Sequence, residues 1–190
     1  MKKTHQSQPK LYLFLALLPP QSIQAAIADI QAYFSDRYDS RAALRSPPHI
    51  TLQAPFAWLP DNIATLQQHL EAFVHNYTAI PITLDGFAAF APRVIYVDVV
   101  KSPTLIALQA DLAKYMETTV GVVDPKGRSR PFTPHMTVAF RDLTRQNFKA
   151  AWEEFKERSL HFEFAANCLT LLLHDVQQWN IHSEFPFNSL

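Results

Sequence analysis

The sequence predicts an α+β protein of two pseudo-symmetric lobes, each built mainly of antiparallel sheet with helices packed on the outside. Three observations carry that expectation. Hydrophobic periodicity switches repeatedly between strand-like and helix-like spacing along the 190 residues. No low-complexity linker breaks the chain into separate pieces. One short frame occurs twice, Pro48-His49-Ile50-Thr51-Leu52 and Pro134-His135-Met136-Thr137-Val138, with the histidines 86 residues apart, close to half the chain. Strand runs with helices on one side make the α+β class, and the repeat suggests that each lobe lends one histidine strand to a shared cleft. The whole chain is read as a single domain of these two lobes.

The elements follow in order. Leu11 to Leu18 is an apolar run of strand length ended by Pro19-Pro20. With Lys2 and Lys3 before it and Ala26-Ile27-Ala28 after it, the run imitates a secretory signal, but it is too short to cross a bilayer and reads as a buried strand. A cytoplasmic protein with no membrane contact is expected. Gln21 to Phe34 places Ile23, Ala26, Ile27, Ile30 and Phe34 on one helical face. His49 to Phe56 is a strand, and Asp61 is positioned to cap a helix running to about His75. Ile80 to Phe90 and Val94 to Val100 pair through Ala91-Pro92-Arg93, with Arg93 read as structural or solvated. A helix covers about Pro103 to Thr118, and Gly121 to Phe132 is the most loop-like stretch. Strand Pro134 to Phe140, a helix from Thr144 to about Glu157, and strands within 162–166, 169–174 and 179–187 complete the chain.

Composition excludes several classes. Lysine plus arginine equals aspartate plus glutamate at 17 each, so no basic surplus supports a long nucleic-acid track, and any such contact is local. Cys168 is the single cysteine, which rules out an intrachain disulfide and a multi-cysteine zinc site and reads as a small buried hydrophobe.

The repeated frame carries the chemistry. Side chains two apart on a strand share a face, so each segment offers an imidazole and a hydroxyl together while Ile50/Leu52 or Met136/Val138 turn to the core. With 8 histidines and 14 prolines in the chain, chance yields two such Pro-His-x-Thr frames with odds below about one in a thousand. Two converging imidazoles divide acid and base labour, and the paired hydroxyls of Thr51 and Thr137 donate to phosphoryl oxygens as charge builds on them. No carboxylate stands beside either histidine in the sequence, which suits phosphodiester cleavage better than metal chemistry. Among neighbours, Lys126, Arg128 and Arg130 precede the second motif, where cations meet a substrate phosphate or an RNA backbone. Tyr96, Phe132 and Trp58 are candidates to stack on a base.

On the two motifs, and on the opening strand that ends at Leu18-Pro19-Pro20 before a helix, the chain resembles the 2H phosphoesterases, the superfamily of 2′-5′ RNA ligase-like proteins and cyclic nucleotide phosphodiesterases. The Gln53-Ala54-Pro55-Phe56 continuation looks like its smaller bacterial branch. The resemblance implies the bilobal LigT-like fold, a mechanism that needs no metal or other cofactor, and His49, Thr51, His135 and Thr137 as the active-site four. Many RNA ligase-like members close the second motif with Ala-Arg; here it reads Ala139-Phe140, with Arg141 one place later and, by strand alternation, on the face opposite Phe140. The expected substrate is a 2′,3′-cyclic phosphate or 2′-5′ phosphodiester in a nucleotide or RNA end, acted on by a monomer. An RNA-end-binding accessory module with little turnover and a paired-histidine metal-binding domain are the two other readings.

Overall fold

The structure, a computed structural model, describes residues 9–125 and 127–188. Two four-stranded antiparallel sheets form its frame. The first holds β1 (Leu11–Leu17), β2 (Ile50–Trp58), β7 (Cys168–His174) and β8 (Trp179–Pro186) in the order β2-β1-β7-β8. The second holds β3 (Ile80–Phe90), β4 (Val94–Val99), β5 (His135–Ala139) and β6 (His161–Ala166) in the order β5-β4-β3-β6. The four α-helices are α1 (Gln21–Tyr38), α2 (Ile63–Val74), α3 (Pro103–Tyr115) and α4 (Arg145–Phe155). The α+β class and the two-sheet frame expected from the sequence are both present.

The motif strands β2 and β5 are each the edge strand of a sheet, and the two edges touch. An edge strand has one unpaired side, which is where a sheet can expose functional groups without breaking its ladder. The chain order β1-α1-β2-α2 repeats as β4-α3-β5-α4, but the repeat does not divide space into sequential halves. Strands β7 and β8 return from the end of the chain to complete the first sheet. Helix α1 follows a strand of the first sheet yet packs on β5 of the second, while α3 follows β4 and packs on β2 of the first. The main core cluster joins Leu13, Leu15 and Leu17 of β1 to Ile95 and Val97 of β4 and to residues of all four helices.

Local chemistry explains most element boundaries. Ser102 accepts a hydrogen bond from the Leu105 N–H and Pro103 opens α3; Thr144 caps α4 by accepting from the Asn147 N–H at 3.1 Å. Asp61 does not cap α2: it sits in a 3₁₀ turn, Pro60–Asn62, that tightens the chain before the helix begins at Ile63. Helix α3 ends in a π-helical turn, Met116–Val120, closed by Gly121 at φ +81°, a left-handed conformation that glycine adopts without steric cost. Cys168 is half-buried, not a core residue: as the first residue of β7 its Sγ faces Thr170 and the Glu184 carboxylate. No helix among the described residues is long and apolar enough to cross a membrane.

Candidate functional site

Both motifs sit beside a bulge. In β1–β2 the pairing steps from Leu15↔Gln53 to Ala16↔Thr51, leaving Leu52 unpaired; in β4–β5 it steps from Ile95↔Ala139 to Tyr96↔Thr137, leaving Val138 unpaired. A bulge bends the strand and re-aims the side chains next to it, and both disturbed backbones are met by a glutamine. The buried Gln31 amide of α1 donates to the Thr137 carbonyl at 3.0 Å, and Gln109 of α3 donates to the Leu52 carbonyl at 3.3 Å. Ile50, Leu52, Met136 and Val138 are buried as the alternation requires, which leaves the histidines and threonines half-open on the other face.

The two imidazoles are fixed by one device. Nδ1 of His49 lies 2.7 Å from the Pro47 carbonyl, and Nδ1 of His135 lies 2.7 Å from the Thr133 carbonyl. A carbonyl oxygen only accepts, so each Nδ1 carries the hydrogen and each neutral ring keeps Nε2 as its proton acceptor. The intervening Pro48 and Pro134 hold φ near one value, which sets the carbonyl two residues back against the ring and explains why proline belongs to the repeated frame.

His49, Thr51, His135 and Thr137 line one cavity of about 480 Å³. Burial pushes His49 down to about 4, a fall that the Pro47 carbonyl opposes and His135 deepens. Burial also lowers His135, but the Thr133 carbonyl and the charge of Asp98 both pull it back up. Asp98 is the cross-strand partner of His135 on β4, so a carboxylate does stand beside one of the two histidines, contrary to the sequence expectation. Strand register, invisible in the sequence, brings it there. Among the described residues no group of three or more His, Cys, Asp or Glu side chains is arranged to hold a metal ion.

The neighbours chosen from the sequence fare differently. Tyr96 is buried behind the site, its ring 5.2 Å from His135 and 4.5 Å from Phe90, and does not reach the cavity. Phe132 packs on the core, and Trp58 packs there too while its indole donates to the Asn62 carbonyl. Arg130 is exposed and outside the cavity wall. Lys126 and the Arg128 side chain lie outside the described residues. The cavity's aromatic surface comes instead from Phe14, Phe90, Phe140 and Trp179. Phe14 stands 4.8 Å from His49 and 4.7 Å, edge-on, from Trp179, while Phe90 meets His135 edge-on at 5.1 Å. Arg141 also lines the cavity together with Phe140, because β5 stops at Ala139 and Arg141 adopts φ +59°, so strand alternation no longer applies to the pair. Arg45, four residues before His49, joins them. The repeat itself points to Arg45, since Arg130 stands at a like position ahead of His135.

Comparisons with known proteins bear on the family and the fold. The profile of the 2′-5′ RNA ligase superfamily matches residues 19–178. A protein of Geobacillus sp. (strain WCH70), named as a candidate phosphoesterase, is 29% identical over 174 residues, covering 90% of this chain and 93% of its own. Among solved structures, E. coli LigT in its apo form superposes with a TM-score of 0.68 at 19% identity, covering 96% of this chain and 100% of LigT. LigT complexed with 3′-AMP gives a TM-score of 0.67 at 20% identity, covering 95% and 100%.

Proposed function

The chain belongs to the 2′-5′ RNA ligase superfamily, and from that premise we propose that it hydrolyses a 2′,3′-cyclic phosphate, or a 2′-5′ phosphodiester, in a nucleotide or RNA end by two-histidine acid/base catalysis without a metal. The observation that carries this reading is that His49 and His135, each with Nδ1 tied to a carbonyl, face one cavity with Thr51 and Thr137. The same family fold in LigT accommodates 3′-AMP, a nucleoside phosphomonoester of the kind such a reaction releases.

The roles follow from the surroundings. His49, held neutral by burial, accepts the proton of the attacking water at Nε2. His135, the one whose proton Asp98 favours, is the acid. Water oxygen bonds to phosphorus, the bond from phosphorus to the ribose oxygen breaks, and that oxygen takes the His135 proton. The product is a phosphomonoester beside a free hydroxyl; His49 is left protonated and His135 neutral, and exchange with solvent resets both. The Thr51 and Thr137 hydroxyls donate to the non-bridging oxygens as negative charge accumulates there. The test is to supply EDTA-treated protein with 2′,3′-cyclic mononucleotides, 2′-5′ dinucleotides and an oligonucleotide ending in a cyclic phosphate, and to follow phosphomonoester formation. Turnover of none of them sinks the proposal.

A further inference from the structure

Two exposed arginines line the cavity and have no part in the reaction just described. Arg45 enters from the 3₁₀ turn Ala42–Arg45 and Arg141 from the segment after β5. Neither makes an ion pair among the described residues, and Arg141 lies over the Phe140 ring, 5.1 Å from its centre. The one carboxylate among the described residues of the cavity wall, Asp142, is already engaged. It accepts from the Ser40 hydroxyl at 3.0 Å and from the backbone N–H groups of Arg41 and Ala42 at 2.8 and 2.9 Å. Those bonds fasten the turn that bears Arg45 to the segment that bears Arg141, so the carboxylate ties the two arginine-bearing segments together at the cavity wall.

Charge arithmetic then points to a ligand. The reacting cyclic diester carries a single negative charge and is served by two imidazoles and two hydroxyls. Both imidazoles are pushed towards the neutral form by burial, so the permanent positive charge among the described residues of the cavity wall is that of the two arginines. Two arginines lining one cavity match a phosphate monoester, which carries about −1.5 to −2 at neutral pH and offers three acceptor oxygens. A cavity of about 480 Å³ has room for a whole nucleotide beyond its reacting group.

We propose that the site selects nucleotides that carry a second, terminal phosphate monoester in addition to the cyclic phosphate, with Arg45 and Arg141 holding that second phosphate. This rests on the two-histidine reading and deepens it to a substrate class. An internal diester of an RNA chain is the competing source of a second phosphate, and its single charge suits two guanidiniums less well.

Equilibrium binding tests the idea without requiring turnover. Dissociation constants are measured by calorimetry for adenosine 3′-monophosphate, adenosine 3′,5′-bisphosphate and a dinucleotide with a 3′-phosphate. The bisphosphate is expected to bind about tenfold or more tightly than the monophosphate, with a smaller gain for the dinucleotide. Arg45→Gln and Arg141→Gln should each bring the bisphosphate-to-monophosphate ratio towards one. Arg41→Gln, an exposed arginine outside the cavity wall, should leave the ratio alone. A wild-type ratio near one overturns the proposal, as do arginine variants that weaken both ligands equally, which would put the arginines on the reacting phosphate. A dinucleotide gain equal to that of the bisphosphate, or an equal effect of Arg41→Gln, also overturns it. Absence of turnover on every cyclic phosphate would count against the hydrolytic reading, while the binding ratio would still decide this one.

Discussion

His49 and His135 are held in the same way, by a carbonyl two residues back and beside a bulged edge strand, but their surroundings differ. His49 belongs to the apolar half: Phe14 packs on its ring and Trp179 on Phe14, part of a small hydrophobic cluster with Ala16, Leu18 and Leu172 on the side of the first sheet away from the main core. His135 belongs to the half with a charge, where Asp98 faces it across β4–β5. The repeat therefore supplies two similar proton carriers, and what each half packs around them sets their proton affinities apart. That separation is what an acid/base pair requires.

The largest effect expected concerns what the halves share. His49→Ala and His135→Ala should each lower kcat/KM on the true substrate by about 10²–10⁴-fold, because acid and base each contribute on that scale. Circular dichroism should show both variants folded. Near-wild-type rates in either variant would break the comparison at its root, since the two half-sites would not then be equal partners.

A second measurement separates the halves by stability. The His49 value of about 4 in the folded protein lies below the ordinary 6.5. Between those values the unfolded chain binds more protons. The contribution of His49 is thus full above pH 6.5 and is lost as pH falls towards 4, by at most about 3 kcal/mol at 1.36 kcal/mol per unit. Urea unfolding at pH 7 and pH 4.5 should show a smaller acid loss in His49→Gln than in wild type. The corresponding change in His135→Gln should be less. Superimposable acid losses in wild type and His49→Gln would show that burial of this ring does not govern the difference.

The glutamines sharpen the comparison from the scaffold side. Gln31→Leu removes the buried donor to the Thr137 carbonyl, a loss of about 1–3 kcal/mol. Gln109→Leu, with a longer bond and a half-buried side chain, should cost less. Denaturant midpoints check the order, and equal or reversed losses would mean that the two bulges are not supported in the way the distances indicate.

These contrasts also mark where the sequence could be read and where it could not. Ile50, Leu52, Met136 and Val138 were legible as core because the period of two is local. The partnership of β7 with β1, and the crossing of α1 and α3 to the opposite sheets, depend on contacts between distant segments that no window of sequence contains. The aromatic residues of β1 show the same limit. Phe14 alternates with Leu13 and Leu15, so one face of the strand had to meet something other than the core, but an apolar run on both faces reads simply as buried. Strand alternation puts Arg141 on the face opposite Phe140, but β5 ends at Ala139, two residues before Arg141, which takes φ +59°. Asp98 is not legible beside His135 because the two meet only through the register of β4 and β5, strands that α3 separates along the chain.

The smallest effect expected is the most specific to the difference between the halves. Asp98 touches no reacting group: its Oδ1 accepts from the Val99 N–H at 3.1 Å, and the hydrogen on His135 Nδ1 is taken by the Thr133 carbonyl. Its influence on His135 is therefore through charge. Asp98→Asn keeps the size of the side chain and an acceptor oxygen for the Val99 N–H while removing the charge that favours protonated His135, so the His135 value should fall further below 6.5. In kcat/KM, which reports the free enzyme, the wild-type profile should be bell-shaped, with an acid limb near the His49 value of about 4 and an alkaline limb below 6.5 from His135. Asp98→Asn should move the alkaline limb to lower pH, leave the acid limb where it is, and reduce the rate at neutral pH by less than about tenfold. A shift of the acid limb alone would make His135, not His49, the group of lower proton affinity. No shift in either limb would mean that the carboxylate across the ladder does not set the proton affinity of its partner.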